Sequence, residues 1–163
     1  MSCNNDKPHL HIYSEDAATH DVADGFIHLF PGRKQRQIQV FTCSGYPNVK
    51  QKVEADAKLM LYPERMILCV IDFDGNLGRI DELKNLVASN IQNRVYVIGC
   101  VDEVETAKQT LGFQGHNDDF GKRLAGQNDW DWNNPCLLSS KQELKRLLFD
   151  LHSKGICPYY CEN

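Results

Sequence analysis

Glu15, Asp72, Asp74, Glu103 and Glu105 share a setting: each stands just past a short apolar run, where a strand would give way to a turn. Carboxylate oxygens gathered there suit a hard divalent cation, Mg²⁺ first and Mn²⁺ as its substitute. Such a cation activates water and offsets charge on a phosphodiester. The tightest spacing is Asp72-Phe73-Asp74. At the mouth of a strand, residues two apart point the same way, so these two carboxylates are expected to share one ion. Glu15, from a neighbouring strand, would complete the oxygen-rich set. Single acids after strands also arise because turns favour them, and Glu103 and Glu105 in a first helical turn would steady its N-terminus. Recurrence at three separate run ends is what points to a site. The remaining run end carries Ser44-Gly45, a turn opening a helix that contains Lys50, and these three residues are the candidates for touching phosphate.

Placing those groups side by side requires a particular order of elements. Strand-like runs cover 9–13, 37–42, 66–71 and 94–99, and helical patterns cover 17–30, 48–61, 79–89 and a segment from Asp102 to Gly112. The first helix carries Ala18, Val22, Phe26 and Leu29 at helical spacing, and the second carries Val49, Val53, Ala57 and Met60. Met66-Ile67-Leu68-Cys69-Val70-Ile71 is continuously apolar, as a central parallel strand covered on both faces should be. The run at 37–42 alternates and suits an edge. The expected fold is therefore α/β, a four-stranded, mostly parallel sheet with helices on both faces, built from residues 1–112. In such sheets ligands bind beyond the carboxyl ends of the strands, where the acids fall.

Residues 113–163 differ. Up to Pro135 they are rich in Gly, Asn, Asp and Gln, with one helical patch at 119–124. Ser139 or Ser140 is then placed to cap an amphipathic helix at 141–152, whose Leu144, Leu147, Leu148 and Leu151 face inward. This reads as a helical extension packed on the core. Trp130 and Trp132 read as residues pinning a loop there, with base stacking as the functional alternative. His20 and His116 read as surface residues. Lys50, Lys52, Lys122 and Arg123 would either steer phosphates or line solvated helix faces.

The 163 residues carry 18 Lys and Arg against 22 Asp and Glu, a net charge of −4, which argues against a passive coat on nucleic acid. The longest apolar runs fall far short of the ~20 residues that cross a bilayer. No cationic segment followed by an apolar one opens the chain, so no membrane association and a cytoplasmic location are expected. Seven cysteines cannot all pair internally. Cys43, Cys69 and Cys100 lie in strand-like runs as small hydrophobes. Cys157 and Cys161 lack the further ligands a structural zinc needs, and read as thiols on a tail.

A Glu ending the first strand, a Gly after the second and D-x-D ending the third resemble the Toprim domain, the catalytic module of topoisomerases, bacterial primases, overcoming-lysogenization-defect nucleases and ribosomal-RNA maturases. The likeness spans residues 8–112 and rests on Glu15 in Tyr13-Ser14-Glu15-Asp16 and on Asp72 and Asp74 in Val70-Ile71-Asp72-Phe73-Asp74. It implies that Glu15, Asp72 and Asp74 hold Mg²⁺, with Glu15 also serving in acid–base catalysis. In the nuclease branch, acids past the fourth strand help bind a second metal, the position of Glu103 and Glu105. The expected function is Mg²⁺-dependent cleavage of DNA or RNA, as an effector in phage defence or a toxin system, alone or with an ATPase or other protein partner. The family often has Gly after its Glu, where Asp16 stands here, and its Gly after D-x-D corresponds to Gly75 or Gly78. Two other readings use the same residues. One is an inert Toprim-fold binding module. The other is a haloacid-dehalogenase-like phosphatase with Asp72 as nucleophile in Asp72-Phe73-Asp74-Gly75-Asn76-Leu77 and Asp118-Asp119 as its last motif, although Asn76 replaces the usual Thr.

Overall fold

A computed structural model describes residues 6–28, 30–58, 61–126 and 129–157. Four strands form one sheet: β1 (His9–Ser14), β2 (Ile38–Thr42), β3 (Arg65–Asp72) and β4 (Val95–Cys100). All pairings are parallel and the order is β2-β1-β3-β4. The continuous apolar run thus lies in an inner strand, with every residue of β3 buried. Between the strands come α1 (Ala17–Ile27), α2 (Gly32–Gln35), α3 (Tyr46–Lys58), α4 (Arg79–Lys84) and a 3-10 turn (Gln92–Arg94). After β4 come α5 (Val104–Thr110), α6 (Asn117–Ala125), α7 (Asp129–Trp132) and α8 (Leu138–Ser153).

Strand alternation divides the core into two layers. Leu10, Ile12, Met66, Leu68 and Ile98 face α1, α6 and α8, where Val22, Phe26, Phe120 and Leu147 close the layer. Tyr13, Ile67, Cys69, Ile71 and Val97 face Val49 and Val53 of α3 and Leu83 of α4. Helices therefore cover both faces, as the pattern predicts. Leu144, Leu147, Leu148 and Leu151 of α8 are buried in the first layer together with sheet residues. The extension also locks onto α1 at a close crossing. A Cβ at Gly25 would stand 1.8 Å from the Asp118 carbonyl oxygen, and one at Gly121 2.0 Å from that of Val22. Only glycines allow backbones this near.

Three boundary expectations need correction. The helix expected at 79–89 ends at Lys84, and the chain then turns through Asn85. The last helix begins at Leu138, its N-cap position is Leu137, and neither serine caps it. Ser140 instead turns to the sheet, where its hydroxyl accepts from Gly99 N–H and donates to the Gly99 carbonyl, both at 2.8 Å. One turn on, Glu143 accepts from Val97 N–H (3.2 Å) and Arg146 donates to the Val95 carbonyl (2.6 Å). Serine, glutamate and arginine at successive helical turns thus occupy the free edge of β4. Trp132 is buried and donates to the Leu124 carbonyl at 2.9 Å, the pinning role expected of it. Leu29, Met60 and Cys161, and the side chain of Trp130, lie outside the described residues.

Beneath α3 the first half of β1 carries an unexpected polar knot. Asp56 receives hydrogen bonds from Tyr13 Oη (2.8 Å) and Arg65 Nη1 (2.5 Å) and pairs with His11 Nδ1 (3.0 Å). Arg65 Nε also donates to His9 Nε2 at 2.8 Å, and His9 Nδ1 faces the Lys7 carbonyl at 2.7 Å. Burial pushes Asp56 up, but the bonds from His11 and Tyr13 outweigh it and hold the carboxyl below its ordinary value. His9 is held below the usual histidine value by burial first, then by the Arg65 charge and by His11, against the Lys7 carbonyl and Asp56. The folded state therefore refuses a proton that unfolded His9 accepts near pH 6.5, so the contribution of His9 is present above that pH and fades below it. The stability difference between wild type and His9→Gln, followed by thermal melting, is expected to be greatest above pH 7 and to narrow from pH 6.5 to 5. A difference constant with pH would contradict this assignment.

Candidate functional site: an acidic cleft at the sheet's switch point

Chain direction across the sheet reverses between β1 and β3, because β2 lies outside β1 and β4 outside β3. At such a switch point the loops leaving adjacent strands part and open a crevice. The crevice here is lined by six carboxylates: Glu15, Asp16, Asp72, Asp74, Glu103 and Glu105. All five predicted metal ligands are thus on one wall or another of one cleft.

Each is placed by a local feature. Glu15 leaves β1 with its N–H bonded to the Val70 carbonyl (3.1 Å), and its Oε2 accepts from Asp72 N–H at 3.1 Å. Asp72 closes β3 opposite Cys100 and is buried. Phe73 is fully buried and bonds through its N–H to the Cys100 carbonyl (2.8 Å), which anchors the loop. Asp74 then takes a left-handed conformation (φ 47°), followed by Gly75 (φ 71°). The expectation that Asp72 and Asp74 point together relied on strand alternation, which ends before Asp74. Its carboxylate meets Arg79 Nη2 at 2.9 Å, and both aspartates line the cleft. Glu103 stands at the N-cap position of α5 without a side-chain cap bond. Glu105, in the first turn, is largely exposed and 3.3 Å from Lys108 Nζ.

Asp16 follows Glu15 directly. It caps α1: its Oδ1 accepts from Thr19 N–H, and Thr19 Oγ1 accepts from Asp16 N–H, both at 2.9 Å. The reciprocal bonds hold the chain just beyond Glu15 in one direction. The signal for this cap in the sequence is Asp16-Ala17-Ala18-Thr19.

The three phosphate candidates, Ser44, Gly45 and Lys50, are not among the residues that line the cleft. Ser44 (φ 59°) and Gly45 (φ 118°) form the turn after β2, and Gly45 N–H donates to the Glu15 carbonyl at 2.7 Å. The turn therefore buttresses Glu15 from behind. Lys50 is ion-paired with Glu82. Lys122 lies 3.1 Å from Asp118 and 3.0 Å from Asp119, and Arg123 Nε donates to Asp131 (2.7 Å). Asp118 and Asp119 thus engage a lysine of their own helix, away from Asp72. His20 bonds through Nδ1 to Thr42 Oγ1 (2.9 Å) and faces Asp24, and His116 stands at the N-cap position of α6.

Electrostatics single out Asp72. Burial, then the charges of Asp16, Glu15, Asp74 and Glu103, push its carboxyl up to about 7. Its Oδ1 is buried and has no hydrogen-bond partner. Burial also raises Glu15, against the Asp72 N–H and the Arg79 charge. A buried carboxylate oxygen without a donor costs about 1–3 kcal/mol or more, so it marks a place where an external cation or proton belongs. The donors are all oxygen, which fits Mg²⁺ or Mn²⁺ in type. Among the described residues no three His, Cys, Asp or Glu side chains converge tightly enough to hold an ion as they stand. As they stand, Glu15 accepts from a backbone N–H and Asp74 is paired with Arg79. Sequence reading missed Arg79, although it is the one cation in the segment 72–82 that follows β3.

Sheet order and cleft together define a parallel α/β protein with an acidic switch-point site. No family model matches the chain, nor does any curated protein or solved structure. Among the described residues no helix is long and apolar enough to cross a membrane.

Proposed function

We propose that this chain is a Toprim-like, Mg²⁺- or Mn²⁺-dependent nuclease that hydrolyses phosphodiester bonds of DNA or RNA. The observation that carries the reading is the unpartnered, buried Oδ1 of Asp72 beneath a cleft lined by six carboxylates. Asp72, Glu15 and Asp74 would hold the ion, with Glu103 and Glu105 on the opposite rim. When bound, a divalent ion supplies a water activated for attack and offsets charge on the phosphodiester. Glu15 is anchored through its Oε2 to Asp72 N–H and, with its affinity for protons raised by burial, is suited to take a proton from the attacking water and return it to the leaving oxygen. The phosphatase reading has less support, because Asp118 and Asp119, its candidates for the last motif, are engaged by Lys122. With a net charge of −4, the protein relies on the bound cation to draw a polyanion toward the cleft. A cytoplasmic setting, in phage defence, a toxin system or RNA processing with an ATPase or other protein partner, belongs to the same reading.

The test offers single- and double-stranded DNA and RNA to wild type, Glu15→Gln and Asp72→Asn in Mg²⁺, Mn²⁺, Zn²⁺ or chelator. Wild type should cleave at least one substrate with Mg²⁺ or Mn²⁺, lose activity with chelator and gain little from zinc. Each variant should lose at least a hundredfold, the scale of a removed transition-state charge contact. Equal activity in all three proteins ends the mechanism. Inactivity throughout, with no Mn²⁺ binding, favours the inert binding module.

A further inference from the structure

Arg79 begins α4, seven residues beyond Asp72, and its side chain is only 16 % exposed. It is fixed on three sides. Nη1 donates to the Asp72 carbonyl at 2.6 Å, Nη2 meets Asp74 Oδ2 at 2.9 Å, and the guanidinium lies 4.3 Å from the Tyr46 ring centroid. Nη1 is also 4.0 Å from Glu15 Oε2. Tyr46 is itself held, its hydroxyl donating to Glu82 at 2.8 Å while Glu82 pairs with Lys50. A planar guanidinium resting on an aromatic face is a preorganised cation. It therefore holds the Asp74 carboxylate and approaches that of Glu15, two of the oxygen donors that a divalent ion in this cleft would draw on.

Resting on the nuclease reading above, we propose that Arg79 is a built-in competitor of the divalent ion: it neutralises Asp74 and Glu15 while the site lacks metal, and must yield them for metal to bind. Without a cation, carboxylates this close repel one another. Arg79 relieves that repulsion by holding Asp74 in an ion pair, while Oδ1 of Asp72 stays without a partner. Metal affinity is then the difference between two cations' hold on the same oxygens, so the site fills only where the divalent ion is abundant. Displaced from Asp74, the guanidinium remains at the cleft, where its fork of donors suits a phosphate. Arg79 is accordingly a positioning residue for metal binding.

The experiment measures Mn²⁺ binding by calorimetry and by the paramagnetic resonance of free Mn²⁺. Wild type, Arg79→Met and Tyr46→Leu are compared at pH 8.5, where protons no longer compete for the carboxylates. Arg79→Met is expected to bind Mn²⁺ about tenfold more tightly than wild type while melting lower without metal. Tyr46→Leu, which removes the platform but keeps the charge, should shift affinity the same way by a smaller factor. A purely structural Arg79 would behave oppositely, with weaker Mn²⁺ binding as the site loosens, and that result overturns the proposal. Unchanged affinity in both variants overturns it equally, while wild-type binding keeps the nuclease reading alive. If Arg79→Met does not fold, Tyr46→Leu decides alone. A wild type that does not bind Mn²⁺ removes the metal site itself and this inference with it.

Discussion

At pH 8 and in the presence of a chelator, Asp72→Asn is expected to melt above wild type by roughly 5–10 °C, although it disables the proposed chemistry. Asp72 is buried among like charges, and its carboxyl is raised from 3.8 to about 7. The sign follows from linkage. Between the ordinary carboxylate value and about 7 the folded protein holds a proton that the unfolded chain has released, so this contribution favours folding at acid pH and is lost as pH rises through 7. Above 7 the ionised side chain opposes folding by on the order of 2–4 kcal/mol. The neutral amide avoids that cost, and about 2–4 °C per kcal/mol is usual for a chain of this size. The difference between variant and wild type should shrink as pH falls toward 5, and should close when Mn²⁺ stabilises wild type alone. A variant that melts lower than wild type at both pH values would mean that Asp72 supports the fold through contacts that outweigh its charge.

Ending the chain after residue 112 has the other large expected effect: a product that is insoluble or lacks a cooperative melt. Phe120, Leu124, Trp132, Leu137, Leu144, Leu147, Leu148 and Leu151 are all buried in the layer that also contains Leu10, Ile12 and Leu68 of the sheet. Each such side chain contributes about 1.5–3 kcal/mol by burial, so losing even half of them erases the ~5–15 kcal/mol that a domain typically has to spare. The cut would also strip Ser140, Glu143 and Arg146 from the β4 edge. Circular dichroism and melting of the 1–112 fragment check this directly, and a well-folded fragment would show that the α/β core stands without its extension.

Local pattern was enough for the sheet. The unbroken apolar run of β3 and the alternation of β2 are consequences of burial on two faces or one, and burial is written in residue type. The collection of acids into one cleft was legible too, because the carboxyl ends of parallel strands all open on the same side. What escaped depends on contacts between distant segments. Asp74 departs from alternation because a left-handed turn intervenes. Ser140 reads as a helix cap because nothing near it in the chain reveals Gly99. Arg79 looks like one more helix-surface cation until Tyr46, 33 positions earlier, is placed beneath it. The His9, His11, Asp56 and Arg65 knot is likewise invisible until β1, α3 and β3 are packed together.

The helical covering of β4 also limits how copies of this chain can associate. A sheet grows by adding strands at its rims, and an exposed rim is a template for fibres. Side chains of α8 already engage both backbone groups of Gly99, the Val97 N–H and the Val95 carbonyl, so much of the β4 rim is closed to a further strand. Among the described strands, the rim along β2 is the one left more open to another strand. A unit with one open rim can pair with a second copy about a twofold axis, but it cannot propagate, since polymer growth requires two. For the described residues, strand addition at the β2 rim therefore favours a closed pair over a fibre.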